Sequence, residues 1–116
     1  MSLFLRPGFD DALAALPGVS FVDQWDARVA KVGGKVFCLL SDTAPHRIVL
    51  KCGETSFDIL SEIEGVEQAA YFAKRQWVSI EPGALPEGDV LAYATRSHEL
   101  VAAGLTKKLR AELGIA

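Results

Sequence analysis

A chain of 116 residues, half of them hydrophobic, is long enough for one domain with a self-sufficient core. A mean hydropathy of +0.22 excludes disorder, and no apolar run approaches the roughly 20 residues that span a bilayer. The net charge of −3 has the opposite sign to that of a dedicated nucleic-acid binder, and the first residues lack the basic start and apolar stretch of a signal peptide. The expectation is one domain over residues 1–116 in the cytoplasm, with no membrane association.

In chain order, Phe9, Ala12, Leu13 and Leu16 recur at i, i+3, i+4 and i+7, one face of a short helix. Asp10 and Asp11 are placed near its positive end, and Pro17-Gly18 closes it. Val19 to Trp25 reads as extended chain. Arg28 to Cys52 then reads as three consecutive strands. Gly33-Gly34 supplies the positive φ of a two-residue hairpin turn. Such a turn predicts that Val32 pairs with Lys35, Ala30 with Phe37 and Val29 with Cys38. It puts Val29, Lys31, Val36, Cys38 and Leu40 on one face, and Arg28, Ala30, Val32, Lys35, Phe37 and Leu39 on the other. The 41–45 stretch is turn chemistry. From Arg47 to Cys52, Ile48, Leu50 and Cys52 alternate with Val49 and Lys51.

Gly53 breaks the third strand, and Thr55 with Asp58 fits a capping box for a helix that buries Phe57, Leu60 and Ile63. Its acidic residues read as a solvated face. Strands are predicted near Gln68–Phe72 and Gln76–Glu81. Asp89 is a candidate cap for a helix from Val90 to Ala103, and Thr106 for a last short helix with Leu109 and Leu113 inward. Lys107, Lys108 and Arg110 would project outward. Sequential strands on short turns, with helices before and after, predict an α+β two-layer sandwich: an antiparallel sheet with helices on one face.

Between Arg28 and Cys52 stand five basic residues (Arg28, Lys31, Lys35, Arg47, Lys51) and one acid, Asp42, against the sign of the whole chain. Two readings of that bias stand side by side: a phosphate-contacting surface, or charges that keep sheet edges from aggregating. Lys74-Arg75 beside Trp77 pairs cations with an aromatic ring, a combination that grips phosphate and stacks on bases. The same Trp also reads as a core residue beside a solvated basic turn.

The motifs of common catalysts are absent from the sequence: no Gly-rich phosphate loop, no Gly-x-Ser-x-Gly elbow, no Cys-x-x-Cys. Ser97-His98-Glu99 are consecutive helix residues that point in different directions and form no triad. Cys38 and Cys52 read as buried free thiols of a reducing compartment. His46 and His98 do not stand at metal-ligand spacing from them. No enzyme activity, metal or cofactor is expected.

Taken in order, Leu16-Pro17-Gly18-Val19, Lys31 to Phe37, Ile48 to Cys52, Lys74-Arg75-Gln76-Trp77, Ser97 to Val101 and Leu105 to Arg110 resemble the MmcQ/YjbR family of small bacterial proteins. The resemblance runs from about Phe9 to Arg110. It implies a CyaY-like (frataxin-like) fold, and DNA binding through a double-wing arrangement of the sheet and its hairpins. His98 stands where the family often has Tyr, and Gln76 where it often has His. Frataxin binds iron through an acidic helix, but the first helix here offers only Asp10 and Asp11, so no metal is carried over.

Together these readings predict contact with DNA phosphate through Lys31, Lys35, Arg47, Lys51, Lys74, Arg75, Lys107, Lys108 and Arg110. Trp77 would be a stacking or buried anchor. The alternative is an interaction module, monomer or weak homodimer, that binds a protein or small ligand on the sheet face or in a groove beside Tyr71, Phe72 and Trp77. That alternative requires these rings to lie outside the helical layer.

Overall fold

The computed structural model describes residues 2–115. Its elements are α1 (Arg6–Ala14), β1 (Val19–Gln24), β2 (Ala27–Val32), β3 (Lys35–Ser41), β4 (Ile48–Lys51), α2 (Glu54–Leu60), β5 (Val66–Gln68), β6 (Trp77–Ile80), α3 (Glu87–Ala102) and α4 (Lys107–Glu112). The strands form one six-stranded sheet in the order β1-β2-β3-β4-β6-β5, and every neighbouring pair is antiparallel. Phe9 and Leu13 of α1 and Val90, Ala94 and Val101 of α3 bury against Ala30, Val32, Phe37, Leu50, Val78 and Ile80 of the sheet. This is the predicted α+β sandwich, with its main core between the helices and one sheet face. None of the helices is long and apolar enough to cross a membrane among the described residues.

The β2–β3 hairpin turns where predicted. Gly33 and Gly34 have φ of +58° and +79°, and Val32 pairs with Lys35. Beyond the turn the predicted register is wrong. A bulge at Ala30/Lys31 makes Ala30 pair with Cys38 and Val29 with Leu39. The extra β3 residue puts Phe37 and Cys38 both in the helix-side core and turns Leu39 to the other side with Val29. The expected faces of Cys38, Leu39 and Leu40 are therefore reversed. Ser97, fully buried on α3, fixes the irregularity: its Oγ donates to the Phe37 carbonyl (2.5 Å) and accepts from the Lys51 amide (2.9 Å).

Four further boundaries differ from expectation. Arg6 starts α1, so Asp10 and Asp11 lie past its first turn. Asp10 instead receives Arg28 through two bonds (3.0 and 3.1 Å), tying α1 to β2. Gly53, not Thr55, caps α2, because the Cys52 and Gly53 amides both bond to the Gln76 carbonyl and set the turn early. α3 begins at Glu87, whose carboxylate accepts from the Leu3 amide (2.7 Å) and the Ser2 hydroxyl (2.8 Å). The strand expected near Gln68–Phe72 is Val66–Gln68, because the Gln68 side chain binds the Ala69, Phe72 and Ala73 carbonyls and holds 69–76 as a loop. The Thr106 cap stands as predicted, accepting from the Leu109 amide at 3.1 Å.

Candidate ligand-binding face of the sheet

Alternation along the strands sends half of the sheet's side chains away from the helices. The registers line them up in rows. Val22, Val29, Leu39, Val49, Ser79 and Glu67 form one row across all six strands. Gln24, Ala27 and Ser41 form a second row on one side of it. On the other side stand Ser20, Lys31 and Val36, with Lys51 opposite Trp77. The central part is apolar: Ala27, Val29 and Leu39 are buried, with Val36, Val49 and Phe72 packed against them.

The cover over this second cluster is a loop instead of a helix. Phe72, from 69–76, stacks against Trp77 with ring centroids 4.4 Å apart. The loop is pinned by Gln68, whose Oε1 also accepts from the Arg75 amide (2.9 Å). Tyr71 and Arg75 adopt positive φ (+69° and +63°), and Tyr71 is fully exposed. At the far rim the β1–β2 turn holds Trp25, also at positive φ and 64% exposed. Between the two rims lies a groove of about 720 Å³. Ala27, Leu39 and Val49 floor it; Trp25, Pro45, Tyr71 and Phe72 wall it.

Among the described residues, Arg47 is the one charged side chain that lines this groove. Its Nη1 donates to the Ser79 carbonyl (3.3 Å) and hydroxyl (3.4 Å), and its Nη2 lies 3.4 Å from Glu67 Oε1. These are long contacts for a guanidinium, whose charge-assisted bonds run nearer 2.7–2.9 Å.

The predicted DNA-contacting residues divide among four places. Lys31, Arg47, Lys51 and Trp77 share the open sheet face, where Trp77 is buried under Phe72. Lys35 is exposed beside the hairpin turn, where Gly33 meets Leu105 and Leu109, so Lys107 and Lys108 of α4 stand at the same end of the molecule. Lys74 and Arg75 are exposed in the covering loop, and Arg75 is paired with Asp58 at 2.8 Å. Arg110, expected outward, is half-buried and lines a second cleft with His98 and Glu99 on the helical side. Sequence reasoning named Tyr71, Phe72 and Trp77 but missed Trp25, Leu39 and Pro45. The reversed β3 face hid Leu39, and nothing local marks Trp25 as exposed.

The histidines and thiols do not converge. His46 Nδ1 lies 3.0 Å from the Ser41 carbonyl, while His98 Nε2 lies 2.7 Å from the Pro17 carbonyl in the helical layer. Burial pushes the Cys52 thiol up to about 11 and the Cys38 thiol higher still, so both are poor nucleophiles. No group of three or more His, Cys, Asp or Glu that could hold a metal occurs among the described residues.

The family model described as YjbR matches residues 14–100. The crystal structure of DR2400 from Deinococcus radiodurans, described as carrying a DUF419 domain, superposes with a TM-score of 0.85 at 22% identity, over 95% of this chain and 88% of that one. A crystal structure of a protein from Pseudomonas syringae superposes with a TM-score of 0.70 at 19% identity, over 83% of this chain and 97% of its own. At such identities the likeness shows a shared fold. No curated protein matches the chain.

Proposed function

The chain belongs to the YjbR family, and from that premise we propose that it is a non-catalytic binding module whose open sheet face receives an apolar ligand. One observation carries the reading: a groove of about 720 Å³, floored by apolar side chains and rimmed by exposed Trp25 and Tyr71, on the face that the helices leave uncovered. The size falls in the range of small-molecule sites, and an apolar lining with few polar groups is their usual make-up. The two buried, free thiols fit a reducing compartment, so the reading includes the cytoplasm, with the protein as monomer or weak homodimer.

The test is amide chemical-shift mapping of the whole chain during titration with small aromatic and aliphatic compounds. Shifts are expected along β2, β3 and β4 and in 69–76. Saturable shifts confined to α1, α3 and α4 would refute the reading.

DNA is the second reading. It is favoured by Lys31 and Lys51 on the same face as the groove, and by Lys35, Lys107 and Lys108 at the adjoining end. Against it stand the net charge of −3 and the carboxylates already held by Arg28, Arg47 and Arg75. Short single-stranded and duplex DNA, titrated at about 50 and 200 mM salt, separates the two. Saturable binding that falls steeply with salt, and is lost in Lys31→Glu/Lys51→Glu, would support DNA. Absence of binding at low salt would remove it.

A further inference from the structure

We propose that the groove takes a flat apolar molecule bearing a single carboxylate, that Arg47 receives the carboxylate, and that Glu67 holds that place until the ligand arrives. This rests on the reading of the open face as the binding surface.

Charge supplies the first argument. Thirteen of the described residues line the groove, and Arg47 is the single charged side chain among them. A neutral ligand would desolvate a guanidinium whose one carboxylate partner, Glu67, is exposed and 3.4 Å away, and would offer no charge of its own to offset that cost. A ligand with one negative charge closes the balance. A ligand with several would leave anions against Leu39, Val49 and Phe72.

Geometry supplies the second. The Arg47 contacts to Ser79 (3.3 and 3.4 Å) and Glu67 (3.4 Å) are at the long limit for hydrogen bonds. Its Glu67 partner has a side chain 67% exposed on the outermost strand, β5. An ion pair so open to water is worth little and is released into solvent at little cost. A ligand carboxylate brought in on an apolar body would be desolvated with the guanidinium and could take two parallel bonds from it. Glu67 and the ligand are thus alternative partners for one cation, and net charge in the site is conserved when they exchange.

Shape supplies the third. The walls are rings and a proline: Trp25 and Pro45 on one side, Tyr71 and Phe72 on the other. Flat groups stack on such walls with little loss of side-chain freedom. The lysines of this face, Lys31 and Lys51, lie outside the groove and supply no second anion seat.

The experiment is a fluorescence titration of the full chain with two dyes. Anilinonaphthalene sulfonate carries one anionic group; phenylnaphthylamine has the same rings without it. Wild type is expected to hold the sulfonate dye more tightly than the neutral one. Arg47→Gln should weaken the sulfonate dye about tenfold, the scale of one charged hydrogen bond, and leave the neutral dye within about twofold. Glu67→Gln should tighten the sulfonate dye by roughly twofold to fivefold, because the competitor is gone. A naphthalene carboxylate should displace the sulfonate dye, and inorganic phosphate at millimolar concentration should not. Displacement by phosphate alone would overturn the carboxylate assignment. Equal affinity of wild type and Arg47→Gln for the sulfonate dye would overturn the anion seat, yet the open-face reading would survive if Trp25→Ala or Tyr71→Ala weakened both dyes. If neither rim variant changed either dye, the open-face reading itself would fall. Circular dichroism confirms that each variant is folded, and both rim residues are exposed enough to be replaced without loss of core.

Discussion

Removing the Ser97 hydroxyl should cost far more than its size suggests. Ser97 is fully buried on α3 and stands where the β3–β4 ladder ends. That ladder runs from Leu40↔Ile48 to Cys38↔Leu50 and goes no further, because the bulge turns Phe37 inward. The Phe37 carbonyl and Lys51 amide are left without strand partners, and the Ser97 hydroxyl serves both, at 2.5 and 2.9 Å. Ser97→Ala leaves one buried acceptor and one buried donor unpaired, each costing about 1–3 kcal/mol. Allowing for partial closure of the gap, the expected loss is about 2–4 kcal/mol. With a midpoint entropy near 2.1 cal/mol/K per residue, a chain of this length should melt roughly 8–16 °C lower. Urea unfolding gives the free energy, and hydrogen exchange gives the site, since the Lys51 amide should lose its protection. The bulge also sets Leu39 on the groove floor, so dye affinity should fall with stability. A loss below about 0.5 kcal/mol, with Lys51 protection unchanged, would refute the clamp.

Three more predictions test other parts of the fold. Ala at Gly33 would place its Cβ 2.7 Å from Leu105 Cδ1 at φ +58°, whereas at Gly34 (φ +79°) it would meet nothing within 4 Å. Gly34→Ala should cost about 1–2 kcal/mol and Gly33→Ala roughly 1 kcal/mol more; equal losses would show that α4 does not seat on the turn. Burial raises the Cys52 thiol from 9.0 to about 11, and Cys38 further. The unfolded chain releases those protons first, so this contribution to stability is intact below pH 9.0 and declines as pH rises towards about 11. A thiol reagent at pH 8 should therefore react slowly with native protein and at once with both thiols in urea; a rapid native thiol would contradict the burial. The Leu3 amide, then the Ser2 hydroxyl, hold the Glu87 carboxyl below its usual value, so its contribution is present above that value and lost as pH falls through the lowered one. Glu87→Gln should flatten the acid limb of the melting curve, and an unchanged limb would show that this tie is not maintained in solution.

Much of the scaffold was legible because local chemistry and tertiary structure agreed. Gly33-Gly34 turns the hairpin, Thr106 caps α4, and alternating Ile48, Leu50 and Cys52 face the core. Three of the errors share a cause: each was settled by a partner distant in sequence, whereas the early end of β5 is set by the Gln68 side chain within its own loop. The β3 face depends on Ser97, 60 residues from Phe37. The α2 cap depends on the Gln76 carbonyl, and the start of α3 is tied to Leu3. A one-residue bulge reverses every later side chain of a strand, so alternation alone could not place Leu39. The candidate site was half legible. Tyr71, Phe72 and Trp77 announced an aromatic cluster, but the role of Arg47 depends on a cross-strand neighbour two strands away, Glu67 on β5.

The arginines bear most directly on what the open face binds. Phosphate recognition favours arginine, whose planar fork takes two oxygens at once. Here Arg28 is held by Asp10, Arg75 by Asp58, and Arg6 pairs with Asp23. Each of these would have to give up a carboxylate to reach a nucleic-acid backbone, and none of them lines the groove. On the open face a DNA reading therefore leans on Lys31 and Lys51, because lysines bind phosphate as point charges and should give shallow sequence discrimination with a steep salt slope. Arg47 differs from the other three in one respect: its carboxylate partner competes for it at the wall of an apolar groove. Comparing Glu67→Gln with Lys31→Glu/Lys51→Glu thus weighs the two readings on one surface. If the first tightens a small aromatic anion and the second leaves it unaffected, the face is a ligand site. If the second abolishes DNA binding and the first changes nothing, the lysines define the function and the groove is only the space left by a covering loop.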